Sequence, residues 1–168
     1  MEASDTSALP NLGEVLGGVL ERVPREQQPL LVAIAERLAA ERYRGWAAQP
    51  SYDAHRSQLL ACAQREEEIA DRIESLYPDA AAVRREILAK NPDIEEINRG
   101  LFAGRPLSEQ LTIQAQGELL GAATWRSFAR EASRAFREAF QACALLEEES
   151  AAALEAILKL DDSVRPIS

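Results

Sequence analysis

Apolar residues recur three and four positions apart along most of the chain, the spacing that places side chains on one face of an α-helix. Residues typical of strands are sparse, and Ala, Leu, Glu, Arg and Gln are abundant. The pattern therefore predicts an all-α protein. Four long helices are expected, over residues 25–48, 51–77, 108–131 and 133–160.

The segments around these helices have weaker patterns. Residues 12–22 carry apolar residues at helical spacing but contain three glycines, which predicts a weak helix that packs on its neighbours. Residues 78–107 predict a crossover with short helices of its own. Residues 1–9 are expected to be disordered, and residues 161–168 to form a frayed tail. A single helical domain over residues 10–160 is therefore predicted.

The boundary between the last two long helices has no proline or glycine to mark it. An uninterrupted helix over residues 108–160 would be roughly 80 Å long, at 1.5 Å per residue. A compact domain of this size cannot accommodate that length, so a break near residue 132 is expected.

The two halves of the chain resemble each other. When the third long helix is laid on the first at an offset of 82 residues, six of eight compared positions are identical. When the fourth is laid on the second at an offset of 81, all six compared positions agree. Two helical hairpins joined by a long crossover, with helices running up, down, down and up, are therefore predicted. The matched positions include Glu36, Cys62 and Glu66 in the first half and Glu118, Cys143 and Glu147 in the second.

Each long helix places one glutamate within its apolar stripe. An ionised carboxylate in an apolar core costs many kcal/mol, so such groups are paired, protonated or bound to a cation. A pair of divalent metal ions is one solution; neutralisation by Arg42, Arg126 or trapped water is another. If the inward face of the second and fourth long helices is centred one residue later than assigned, Glu67 and Glu148 point inward instead. The predicted metal ligands are Glu36, Glu66, Glu118 and Glu147.

Further spacings resemble a known group of proteins. Tyr43 follows Glu36 by seven positions, and Trp125 follows Glu118 by seven. Together with the inward glutamates of the second and fourth helices, this resembles the ferritin-like superfamily of ferritins, rubrerythrins and related di-iron or di-manganese carboxylate proteins. The resemblance implies a ferritin-like four-helix bundle with a di-metal site for Fe or Mn.

The resemblance is incomplete where that superfamily has Glu-x-x-His in helices two and four. Here the histidine positions hold Ile69 or Ala70 and Ser150 or Ala151, and the chain's one histidine is His55. The implied site is therefore a degenerate, carboxylate-only one that binds metal weakly or not at all and favours Mn or Mg over Fe. Two alternatives stay open: an active oxidase or peroxidase-like enzyme, and a metal-free scaffold for self-association or partner binding.

The two cysteines, Cys62 and Cys143, are expected to pack in the core. The alternatives are thiolate ligation of a softer metal and a disulfide across the second and fourth long helices. The glycine-containing helix is expected to cap the domain or to mediate assembly into a homo-oligomer, most simply a dimer.

The net charge of −9 repels phosphate backbones and anionic lipid surfaces, so neither nucleic acid nor a membrane is an expected partner. The longest apolar runs, such as LLVAIA, are far below the ~18 residues needed to cross a bilayer. With no secretory leader pattern and few cysteines, a cytoplasmic location is expected.

Overall fold

The structure is a computed structural model that describes residues 8–164, with side chains described as far as residue 161. Over these residues the chain has helices and no strands, so the predicted all-α class is confirmed. Of the disorder predicted for residues 1–9 and the frayed tail predicted for residues 161–168, the parts over residues 1–7 and 165–168 lie outside the described residues. The helices are α1 (Leu12–Leu20), α2 (Gln28–Ala47), α3 (Arg56–Glu74), α4 (Ala80–Lys90), α5 (Ile94–Gly100), α6 (Leu107–Glu131) and α7 (Arg134–Val164).

The first two long helices start later than expected, each after a 3-10 helix. The first begins at Gln28, after Arg25–Gln27. The second long helix begins at Arg56 because Pro50–His55 forms a 3-10 helix, in which the buried Tyr52 leaves helical geometry with φ −112° and ψ 19°. Between the two short helices of the crossover, the side-chain amide of Asn91 donates to the carbonyl of Ile87 at 2.9 Å and caps the end of α4, and α5 starts at Ile94.

The break between α6 and α7 lies at Ala132, close to the position predicted from the limit on helix length. Ala132 is extended, with φ −85° and ψ 156°. The guanidinium of Arg137 donates to the carbonyls of Ala129 at 3.2 Å and Ala132 at 3.1 Å. These bonds satisfy carbonyl groups that the end of α6 leaves open, without a proline or glycine. Helix α7 then continues to Val164, four residues beyond the expected Leu160.

The long helices pack in pairs, α2 against α3 and α6 against α7, and α3 also packs on α7. Helices α2 and α6 touch only sparsely. Helices α4 and α5 lie on α2, and α1 lies on α6. The sparse contact between α2 and α6 leaves space beside the middle of both helices.

The apolar core consists of two clusters. The Trp125 cluster contains Leu30, Ile73, Trp125 and Phe140, and the Tyr43 cluster contains Tyr43, Leu59, Leu111 and Leu154. Helices α2 and α7 run from the Trp125 cluster to the Tyr43 cluster, whereas α3 and α6 run the other way. Each helix carries one buried glutamate between its segments of the two clusters: Glu36, Glu66, Glu118 and Glu147.

Within residues 8–164, no helix combines the length and the apolar character that a membrane span requires.

Candidate metal centre

Three of the four predicted glutamates meet in the layer between the two clusters. Glu36 of α2, Glu66 of α3 and Glu147 of α7 each offer a carboxylate oxygen that lies within 4.8 Å of the other two. Their exposures are 7%, 0% and 1%, so water has almost no access to their side chains. We refer to these three residues as the acidic triad.

The fourth glutamate, Glu118 of α6, is 1% exposed and adjoins the triad. Its Oε1 accepts hydrogen bonds from the Tyr43 hydroxyl at 2.5 Å and from the Gln114 side-chain amide at 2.7 Å. No N–H group or hydroxyl of the described residues donates to its Oε2. An unpaired buried oxygen is costly, and it is an acceptor available to a cation or to a donor group of a ligand.

Two members of the acidic triad also accept hydrogen bonds. The indole N–H of Trp125 donates to Glu147 Oε1 at 2.9 Å. The hydroxyl of Ser150 donates to Glu66 Oε1 at 3.3 Å, and Ser150 itself accepts from Arg65 at 3.0 Å. The second oxygen of Glu66, Oε2, receives no hydrogen bond from an N–H group or hydroxyl in the part of the chain that the structure describes.

In the Glu-x-x-His motif that the resemblance implies, histidine would lie three residues after Glu66 and three residues after Glu147. Ile69 is fully buried in the Trp125 cluster, and Ser150 is fully buried against Glu66. One position is apolar and the other supplies a hydroxyl, so the polar groups around the triad offer oxygen ligands rather than imidazole nitrogen.

Burial perturbs the acid-base behaviour of the acidic triad. Loss of hydration raises the pKa of Glu36, Glu66 and Glu147 above the ordinary value of 4.5. The negative charge of Glu118 raises the pKa of Glu66 further, and that of Glu36 raises the pKa of Glu147. Without a cation, these carboxyls therefore retain protons above the pH at which exposed glutamates ionise.

Of the two arginines considered as neutralising groups, only Arg42 lies near the glutamates. Its guanidinium donates to Gln114 Oε1 at 3.0 and 3.1 Å and to Asn98 Oδ1 at 2.7 Å, and it stacks 3.9 Å from the centre of the Phe102 ring. Desolvation lowers its pKa to about 10. Gln114 in turn bonds Glu118, so the positive charge is connected to that carboxylate through one amide.

The alternative inward pair is excluded by its ion pairs. Glu148 pairs with Arg126 at 2.6 Å, and both side chains are over 40% exposed at 42% and 46%. Glu67 pairs with Arg37 and, at 3.0 Å, with Arg44. The second arginine and both alternative glutamates thus belong to the surface.

Gly121, which sequence reasoning missed, makes room for Glu147. A Cβ atom built on Gly121 would lie 2.8 Å from Glu147 Cδ and 3.2 Å from Oε2, inside normal contact distance. Gln114 and Ser150 were also missed as partners of the glutamates. Their spacing of four residues before Glu118 and three after Glu147 places them on the inward faces, which is the one signal that could have indicated them.

The cysteines form neither a disulfide nor a metal-binding pair. Cys62 and Cys143 are free and fully buried, and they belong to opposite clusters. Burial raises the pKa of the Cys62 thiol and raises that of Cys143 to about 12. Both are therefore neutral thiols in the core, as the simpler prediction had it.

Comparison of the chain with protein-family models, with curated proteins and with solved structures yields no match.

Proposed function

We propose that the chain is a ferritin-like four-helix bundle whose acidic triad binds one divalent cation, with Glu118 as an additional oxygen ligand. The directions of α2, α3, α6 and α7 relative to the two apolar clusters support the up, down, down, up arrangement. The site is a carboxylate-only version of the superfamily's di-metal centre.

Two buried oxygens that accept no hydrogen bond from an N–H group or hydroxyl within residues 8–164, Glu66 Oε2 and Glu118 Oε2, carry this proposal. Native proteins rarely leave buried acceptors without a donor, and a cation would complete both. Metal–oxygen distances of 2.0 to 2.6 Å place opposite ligands about 4 to 5 Å apart. The spread of 4.8 Å within the acidic triad therefore suits a single ion after small side-chain rotations.

Charge compensation points the same way. Among the described residues, Arg42 and Arg65 each reach one of the four buried glutamates only through an uncharged side chain, Gln114 or Ser150, so ionisation of all four requires additional positive charge. An oxygen-only ligand set favours hard ions, and we expect Mn²⁺ or Mg²⁺ to bind better than Fe²⁺. A bound ion of this class would supply Lewis acidity or, for Mn and Fe, redox chemistry.

A metal-free scaffold is the second candidate, because the carboxyls already have several protein donors. Tyr43, Gln114, Trp125 and Ser150 each donate to one of the glutamates. With raised pKa values, the remaining carboxyl oxygens could stay neutral by holding protons. In that case the layer would be structural, and the surface would mediate any self-association or partner binding.

Metal titration separates the two candidates. The full chain is dialysed against EDTA and titrated with Mn²⁺ at about pH 7.5, with binding followed by calorimetry and by loss of the free Mn²⁺ electron paramagnetic resonance signal. We expect one bound Mn²⁺ per chain and at least tenfold weaker binding in Glu66→Gln and Glu147→Gln, which remove a charged ligand at nearly constant shape.

The matched controls are Glu67→Gln and Glu148→Gln, one residue along the same helices and ion-paired at the surface. Their Mn²⁺ affinity should stay within about twofold of the parent, because exposed charges interact weakly with a buried site. Equal affinity in Glu147→Gln and Glu148→Gln would exclude the proposed site. Absence of Mn²⁺ and Fe²⁺ binding in every variant would favour the scaffold.

A further inference from the structure

A partly open cavity of about 220 Å³ lies beside the acidic triad, lined mainly by α1, α2, α5 and α6. It occupies the space left where α2 and α6 touch only sparsely. Most of its surface is apolar, with Leu16 and Leu20 of α1 facing Leu31 and Ala35 of α2. A dry apolar cavity of about 150 Å³ can hold benzene, so this one can hold on the order of nine non-hydrogen atoms.

Glycines of two helices line the cavity. Gly17 of α1 lines it, and a Cβ built there would meet no atom within 4 Å. Gly117 of α6 also lines it, and its Cβ would have Leu12 Cδ1 as nearest neighbour at 4.0 Å. Glycine weakens both helices by about 1 kcal/mol relative to alanine, without any turn or close backbone approach that would require it. The empty volume is therefore retained at a cost in stability.

One side of the cavity is polar. Glu36, Glu118 and Glu147 lie along it, and the buried Glu118 Oε2 has no N–H or hydroxyl donor among the residues that the structure describes. Arg42 also lines the cavity, but its guanidinium nitrogens already donate to Gln114 and Asn98. In the metal-free chain, Glu118 Oε2 thus offers an acceptor on this side of the cavity, which a ligand O–H or N–H group would satisfy.

We propose that this cavity binds a small, uncharged, largely apolar molecule with one hydrogen-bond donor, of the phenol or indole class, and holds it against Glu118. The proposal deepens the proposed function, on which its biological meaning rests, because it places an organic molecule next to the cation site. Binding itself requires only the cavity and Glu118, so it can be measured without metal.

The test uses the EDTA-treated full chain and three probes: indole, 4-methylphenol and toluene. Calorimetry should show one indole or 4-methylphenol bound per chain, and toluene, which lacks a donor, should bind about tenfold more weakly. Gly17→Leu should weaken indole binding at least tenfold by filling the cavity. Gly18→Leu is the matched control, since Gly18 is the next residue of α1, is exposed and does not line the cavity.

A second variant is needed because Gly17→Leu could weaken indole binding by rearranging α1 rather than by filling the cavity. Leu16→Ala enlarges the cavity and should let the bulkier 1-naphthol bind at least fivefold more tightly than it binds the parent. The proposal is overturned if the parent binds none of the probes, if Gly17→Leu binds indole as Gly18→Leu does, or if Leu16→Ala leaves 1-naphthol affinity unchanged.

Metal and ligand outcomes remain distinguishable. Gly17→Leu should bind Mn²⁺ like the parent, because glycine has no side-chain oxygen and lies on α1 rather than on a ligand-bearing helix. Loss of indole binding with Mn²⁺ binding intact supports the cavity, whereas indole binding in a chain that binds no metal supports the cavity and rejects the cation.

Discussion

Gly121→Ala should disturb the acidic triad through a single methyl group. The new Cβ would lie 2.8 Å from Glu147 Cδ, and Gly121 sits within α6, where the helix prevents the backbone from moving away. The carboxyl group of Glu147 must therefore rotate. That rotation breaks the 2.9 Å hydrogen bond from Trp125 and leaves a buried indole N–H without an acceptor.

Two opposing terms decide the size of the effect on stability. Alanine in place of glycine within a helix contributes about 1 kcal/mol. An unsatisfied buried donor costs about 1–3 kcal/mol. The metal-free variant should thus lose about 0–2 kcal/mol of unfolding free energy.

Gly117→Ala, one turn earlier on the same helix, has the same propensity gain, and its Cβ meets only Leu12 Cδ1 at 4.0 Å. It should gain about 1 kcal/mol. The predicted gap between the two variants is therefore about 1–3 kcal/mol.

Urea denaturation of both EDTA-treated variants measures this gap, and Mn²⁺ titration measures the effect on the site. Gly121→Ala should bind Mn²⁺ about 10–100-fold more weakly, while Gly117→Ala should bind it like the parent. If both variants gain the same stability, Glu147 does not need the space above Gly121, and the close approach is not a constraint on the site.

Three further predictions follow from the buried groups. Tyr43→Phe removes a donor to Glu118 and should lower the unfolding free energy by about 1–3 kcal/mol in urea denaturation; a loss below about 0.5 kcal/mol would contradict the hydrogen bond. Burial raises the pKa of Glu66 and its triad neighbours above 4.5, so the metal-free folded chain binds more protons than the unfolded chain, and its stability should fall as pH rises above that value. Thermal melts between about pH 5 and pH 8 measure this fall, which Glu66→Gln should reduce and excess Mn²⁺ should offset; an unchanged slope in that variant would reject the assignment. Finally, Cys62 and Cys143 should resist iodoacetamide at about pH 8 until the chain is denatured, as mass spectrometry would show, whereas rapid labelling of the native chain would contradict their burial.

Helical periodicity contains enough information to identify the inward glutamates. Adjacent residues of an α-helix differ by about 100° around the axis, so Glu66 and Glu67 point in clearly different directions. The structure buries the first and ion-pairs the second with arginine. Helix number and the break near Ala132 follow from the same periodicity combined with a limit on length.

The sequence pattern did not predict which side chains form hydrogen bonds between helices. Tyr43 bonds Glu118 across a separation of 75 residues, and Ser150 bonds Glu66 across 84. These pairs depend on how far each helix is rotated and shifted along its neighbours, which a pattern within one helix does not specify. The internal repeat does not specify them either, because Tyr43 and its counterpart Trp125 donate to glutamates in non-equivalent positions.

The placement of a charged layer between two apolar clusters also limits how the helices can slide. A shift of one helical turn, about 5.4 Å, would move Glu118 from its hydrogen-bond donors to a level occupied by aliphatic and aromatic side chains. An unpaired carboxylate there would cost several kcal/mol, so slipped alignments of the four helices are penalised. We therefore expect the glutamates to define one axial alignment of the hairpins even without a cation, and a chain with all four replaced by leucine to gain stability while losing that uniqueness.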